Sequence, residues 1–482
     1  MKKYSILLSL LFLLFTNAFS QQQIAIPRIE QMPNQPEPYM MRNWKQVTLN
    51  YDAFVFDENV TGEYFPLIWR VNNTVNYPGQ SSFGLATVVG TTSPGSGEAI
   101  NVMPAVISAS LAGLDKSNQD GNNWVVMCQE YFNNRPEEYI YLNHPVTSSG
   151  DDWWYETMPN VFFYQLYDLY PGTGDFERQF RLVADRWLEA VSRMGGGTMP
   201  WAVPKMNYGA WALSQMKPLR TGVPEPEAAG AIAWLLYNAY SRIGESRYRI
   251  GAEWAMEFLI SLNGNPSYEL QLPYGVYAAA RMNAELGTDY DVEKMLNWCF
   301  DRGPLRSWGA IVGRWRDYDV SGLIGELSSN DYAFVMNGFE QAGALTPLVR
   351  YDERFSRAVG KWMLNLANAS RLFYPGFLPP QKQDSDHWSA VHDTNAVIAH
   401  EALREEKWGY SPYATGDAVD GGWGETNLAL YGSSHVGIFG GIIDTTNVPK
   451  ILKLDVLRTD YFHREAFPTW LFYNPYDTDK AI

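Results

Sequence analysis

The chain has 482 residues, with 53 acidic against 37 basic side chains and a formal net charge of −16. That balance excludes nucleic acid and anionic membrane surfaces as partners, although a few local Arg, His or Tyr side chains still admit an anionic sugar at contact distance. Only Cys128 and Cys299 are present, so disulfides do not define the fold, and two separate buried thiols are expected.

In chain order, residues 1–20 read as a secretory signal peptide. Lys2-Lys3 head an apolar run from Ile6 to Phe15, and small residues Ala18 and Ser20 precede a cut expected after Ser20. No cysteine near the cut supplies a lipid anchor, so the expected location is periplasmic or secreted. No later stretch has the roughly 20 uncharged apolar residues of a membrane span, and no membrane insertion is expected after cleavage. Residues 21–95 read as an irregular and β segment packed on the barrel, because "WKQVTLNYDAFVFD" and "EYFPLIWRVNN" alternate like short strands.

From residue 96 to 482 the pattern is helical and repeats. "AAGAIAWLLYNAY" is apolar nearly all round, whereas "ESRYRIGAEWAMEFL" places Tyr248, Ala252, Ala255, Phe258 and Leu259 on one face and charges on the other. An inner helix is thus followed by an outer one. "GEAINVMPAVISASLAGLD" with "NWVVMCQEYF", "DDWWYETMPNVFFYQLYDLYP" with "DFERQFRLVADRWLEAVSRM", "YELQLPYGVYAAARMN" with "YDVEKMLNWCF", and "SNDYAFVMNGFEQAGAL" with "YDERFSRAVGKWMLNLANAS" repeat the pattern. A sixth pair is read from "HWSAVHDTNAVIAHEALREE" and the Gly-rich run ending "NLALYGSSHVGIFGGII". The fold class is therefore all-α, an (α/α)6 toroid, with the tail from Lys453 as a strap over it.

Acidic residues recur where inner helices start. Glu225 and Glu227 flank Pro226, Asp151 and Asp152 open the helix carrying Glu156, and Glu269 opens another. Asp331 lies in "SSNDYAF", His387, His392 and Asp393 in "DHWSAVHD", and Trp423 and Glu425 in "GGWGETN" before His435. A carboxylate at a helix N-terminus meets unpaired N–H groups and the positive end of the dipole, so capping alone explains some of them. In an up-down toroid all these starts share one rim. Two carboxyls across a glycosidic bond, one protonated and one ionised, can hydrolyse it. No HExxH, zinc spacing, Walker loop or GxSxG elbow offers other chemistry, and no metal or cofactor is expected.

"DDWWYETMPN", "PEPEAAGAIAWL" and "YATGDAVDGGWGETNLALYGSSHVGIFGGI" resemble the six-hairpin glycosidases of bacterial polysaccharide-utilisation systems, most closely glycoside hydrolase family 154, over residues from about 95 to the end. The resemblance implies an exported β-glucuronidase-like enzyme that removes a terminal β-linked glucuronic acid, or a related uronic acid, from a poly- or oligosaccharide. The physical reading prefers Glu227 as general acid and Asp152 as base or nucleophile, with Glu225, Asp331 and Asp393 as alternatives. His392, Arg314 and Trp153 are expected to hold the uronate, with Glu156, His387, Trp423, Glu425 and His435 completing the sugar site. An unsaturated glucuronyl hydrolase, a polysaccharide lyase and a non-catalytic glycan-binding toroid are the rival readings.

Overall fold

The computed structural model describes residues 22–92, 95, 97–463 and 466–482. The signal-peptide segment lies outside the described residues. Among them, six inner helical segments form a ring: Ala99–Leu111, Trp153–Leu169, Ala228–Ile243, Gln271–Leu286, Val335–Leu345 and a broken helix, Leu430–Ser433 with Gly437–Ile442. Each packs on the next, and Gly437–Ile442 packs back on Ala99–Leu111, so the toroid closes. Closure is what the sequence demands, because Ala228 through Ala239 are buried on every side of their helix and no open face could carry them.

Outer helices flank this ring. Phe176–Arg193 buries Phe176, Phe180, Val183, Trp187 and Val191 on one face, and Ser246–Ser261 buries Tyr248, Ala252, Ala255, Phe258 and Leu259 as its spacing predicts. Gly244 and Gly287 end their inner helices in the left-handed region, where a side chain is disfavoured. Cys128 and Cys299 are separate and buried, as expected.

Two sequence expectations are corrected. Trp44–Val55 is a helix, not a strand; Asn43 caps it by accepting the Gln46 N–H at 3.1 Å. Its buried residues, Trp44, Val47, Thr48, Tyr51, Asp52 and Val55, follow a spacing of three and four that the overlapping polar–apolar alternation concealed. This helix packs on Gly437–Ile442 and Ala99–Leu111 and so supplies the outer partner of the sixth inner segment from the opposite end of the chain. The strand expectation holds for Ile68–Val71, which pairs with Ser82–Leu85.

The second correction concerns "HWSAVHDTNAVIAHEALREE", which is not an inner helix. It forms a short helix, Asp386–His392, and then strand Ala402–Arg404. The Asp393 carboxylate takes the N–H groups of Val397 and Ile398 at 2.9 to 3.0 Å. A side chain thereby replaces the helix ladder and turns the chain. Ala402–Arg404 joins an antiparallel five-stranded sheet in the spatial order Tyr413–Thr415, Ala402–Arg404, Tyr332–Phe334, Ile324–Glu326, Trp308–Ala310.

The inner helices run parallel, so their N-termini share one end. The tail packs over the other: Phe462 lies 6.3 Å from Tyr164 and 5.7 Å from Phe180, and buried Asp460 pairs with Arg350 and accepts the hydroxyls of Tyr277 and Tyr351. Ile443–Thr445, Leu452–Asp455 and Trp470–Phe472 form a three-stranded sheet against the barrel wall.

Candidate active site

A cavity of 1170 Å³ opens among the inner-helix N-termini. Asp152, Tyr155, Glu269, Leu270, Asn337 and Tyr431 line it from inner-helix starts, and Trp308 and Phe334 from the sheet. Segments nearly 300 residues apart meet there because the ring closes.

Asp152 is the N-cap of its helix. Its Oδ1 accepts the N–H of Trp154 at 2.7 Å and of Tyr155 at 3.4 Å. Burial raises its pKa despite those two bonds. Glu269, just before the next inner helix but one, is raised to about 7 by burial, held back by its ion pair with Arg306 and pushed further by Asp152. Glu225 is buried and interacts electrostatically with both. Burial and then the charges of Asp152 and Glu269 push it up to about 10, and its Oε2 has no partner among the described residues. The three carboxyls therefore form one electrostatic cluster, in which Glu225 keeps its proton at neutral pH and Glu269 titrates near it.

Arg306 is the guanidinium of the cavity lining. Its Nε donates to Glu326 at 2.9 Å and its Nη1 to Glu269, while Nη2 meets no protein acceptor among the described residues. Across the cavity Glu401 accepts the Tyr431 hydroxyl and the Asp417 N–H, and burial raises its pKa. Glu98 accepts from Thr87 at 2.7 Å and Asn143 at 2.9 Å. Trp154, Tyr155, Tyr268 and Trp423 add aromatic faces, suited to the apolar C–H face of a sugar ring.

Of the residues singled out from sequence, Asp152, Glu269 and Trp423 line the cavity, and Glu225 is buried within electrostatic reach of the first two. Glu227 shares this end of the barrel but does not line the cavity; fully buried, it accepts the backbone N–H groups of Tyr268, Glu269 and Leu272. Those bonds pin one inner-helix start to the next. Glu156 does the same for Gly150, Asp151 and Trp211. Trp153 turns into the core, donating to the Tyr208 carbonyl at 2.8 Å and stacking on Trp187. His435 is buried inside the barrel with its Nδ1 on Glu340.

The remaining expectations scatter. Asp331 closes a turn by accepting the Ser328 N–H at 2.8 Å. Arg314 donates to the carbonyls of Glu37 and Asp317, both at 2.6 Å, away from the cavity. His387 is exposed, His392 packs against Phe65 and Trp388, and Asp393 borders a separate depression of 760 Å³. Glu425 is an exposed turn residue whose N–H meets the Gly90 carbonyl. Sequence reasoning missed Arg306, Glu401, Asp417 and Trp154. Arg306 sits in an irregular loop with no periodic signal, and Glu401 lies in the stretch whose spacing suggests a helix. Trp154 is one step of helix phase from Trp153.

No family model matches the chain, and no curated protein is similar to it in sequence. Among solved structures it is similar to a mutant of the unsaturated glucuronyl hydrolase from Streptococcus agalactiae, at 13% identity and a TM-score of 0.43, covering 87% of this chain and 96% of that one. It is also similar to a metagenome-derived glycoside hydrolase family 9 endoglucanase, at 12% identity and a TM-score of 0.41, covering 83% of this chain and 80% of that one.

Proposed function

We propose that the protein is an exported glycoside hydrolase that removes a terminal β-linked glucuronic acid, or a related uronic acid, from a complex glycan. The observation that carries this is the cluster of Asp152, Glu225 and Glu269 at the cavity wall. Glu269, raised to about 7, is matched to donating a proton to a leaving oxygen near neutral pH. Asp152, with Oδ2 free of its capping bonds, is the base or nucleophile. The free Nη2 of Arg306 is available to the uronate carboxylate, and guanidinium is the side chain whose geometry suits it. This assignment moves the acid from Glu227 to Glu269 and the uronate contact from Arg314 to Arg306. The signal-peptide pattern supports export, and the likeness of the quoted motifs to family 154 supports the uronide. Burial and neighbouring carboxylates raise the pKa of Tyr155 and Tyr431, which disfavours a lyase reaction driven by a tyrosinate base.

The test is a panel of aryl glycosides that includes the β-glucuronide. Wild-type protein should release aglycone from the β-glucuronide, and Asp152→Asn and Glu269→Gln should each lower kcat by roughly 10²- to 10⁴-fold while melting as the wild type does. Cleavage of a different glycoside alone removes the uronate assignment and leaves the glycosidase. Binding of glycans with no turnover of any glycoside points to the non-catalytic toroid.

A further inference from the structure

The hairpin formed by Ala402–Arg404 and Tyr413–Thr415 connects the cavity to the outer surface. Glu401, just before its first strand, and Asp417, just after its second, line the cavity. At its tip Lys407 and Tyr410 exchange two backbone hydrogen bonds of 3.0 Å around Trp408 and Gly409. Both central residues have positive φ, +55° for Trp408 and +81° for Gly409. A turn of this kind favours Asn, Asp or Gly at its first central position, and a bulky residue in the left-handed region is strained. Burial does not offset the strain, because Trp408 is 71% exposed.

The indole is nonetheless held in place. Tyr413 meets it edge-on at 5.4 Å, and Lys407 Nζ lies 4.7 Å from its ring centroid. Lys407 is itself fixed by Thr415 Oγ1 at 2.9 Å and Asp420 at 3.2 Å. Asp420 belongs to the turn that leads into Trp423, the half-exposed indole of the cavity rim. One ion pair thus ties the Trp408 tip to the rim turn, and a strained, solvent-facing aromatic stands at the tip of a hairpin whose base lines the cavity.

We propose that Trp408 is a stacking platform for a sugar unit of the glycan that extends outside the cavity. The indole face suits the C–H face of a pyranose, and the strained backbone is retained because it fixes that face toward solvent. The glycosidase reading supplies only the class of ligand.

Affinity gel electrophoresis in glucuronoxylan, gum arabic, alginate and laminarin tests the platform. At least one polysaccharide should retard the wild-type protein, Trp408→Asn should bind it about 3- to 10-fold more weakly, and Trp408→Tyr should recover part of the loss. Because Asn tolerates positive φ, Trp408→Asn should melt no lower than wild type, and its kcat/KM on an aryl glycoside should be unchanged. Equal retardation of wild type and Trp408→Asn, retardation of neither in all four gels, or a parallel fall on the aryl glycoside overturns the platform. Retardation lost in the variant with no glycoside turned over by any form leaves the platform standing and removes the glycosidase reading.

Discussion

Asp152 illustrates how one carboxylate can serve a helix and a reaction together. Oδ1 is committed to the N–H groups of Trp154 and Tyr155, which fixes the side chain at the cavity lining and leaves Oδ2 free of capping bonds. Activity should depend on pH in a bell. The acid Glu269 must be protonated, so kcat/KM falls as pH rises through about 7; the base Asp152 must be ionised, so it also falls at the acid end. Glu227 contrasts with both. Glu227→Gln turns one acceptor oxygen into a donor facing backbone N–H groups, leaving a buried donor unmet. The expected result is a loss of about 1–3 kcal/mol in denaturant unfolding, with kcat of the folded protein within about threefold of wild type. Both residues were legible as acids at helix starts; their division of labour was not, because pattern does not say which carboxylates the next helix start covers.

At the scale of elements, the inner helices approach so closely that size at a few positions matters more than polarity. A Cβ on Gly275 would lie 2.6 Å from the Cα of Gly230 and 2.8 Å from Leu259. Gly275→Ala should therefore destabilise by about 1–3 kcal/mol despite the better helix propensity of Ala, read as a lowered denaturation midpoint. The all-round apolar helices and their amphipathic partners were plain in the sequence, since burial on every side leaves an unmistakable composition. Trp44–Val55 was not, because its residues satisfy both a helical and an alternating pattern until the ring offers a face to bury them. The Asp386–Arg404 stretch failed for the converse reason: helical spacing was present, but Asp393 took the N–H groups that a helix would use.

For the whole molecule, the acids gathered at one end set the response to pH. Glu156 and Glu227 are raised to about 8, Glu225 to about 10 and Glu269 to about 7, all chiefly by burial. Between the ordinary carboxylate value and these, the folded form holds more protons than the unfolded chain, so unfolding free energy falls as pH rises. The melting temperature should thus be higher at pH 5 than at pH 8. Glu225→Gln, which keeps a neutral group there, should flatten that slope; a melting temperature that climbs from pH 5 to pH 8 would contradict the buried cluster. By itself the sequence determined the helical hairpins, the closed toroid and the gathering of acids at one rim, because hydrophobic periodicity and helix-start chemistry are local. Tertiary structure decided which acids face the cavity, that Arg306 and Glu401 join them, and that the first long helix completes the last hairpin. Each of those depends on which surfaces are left uncovered once the ring has closed, and no local pattern encodes that.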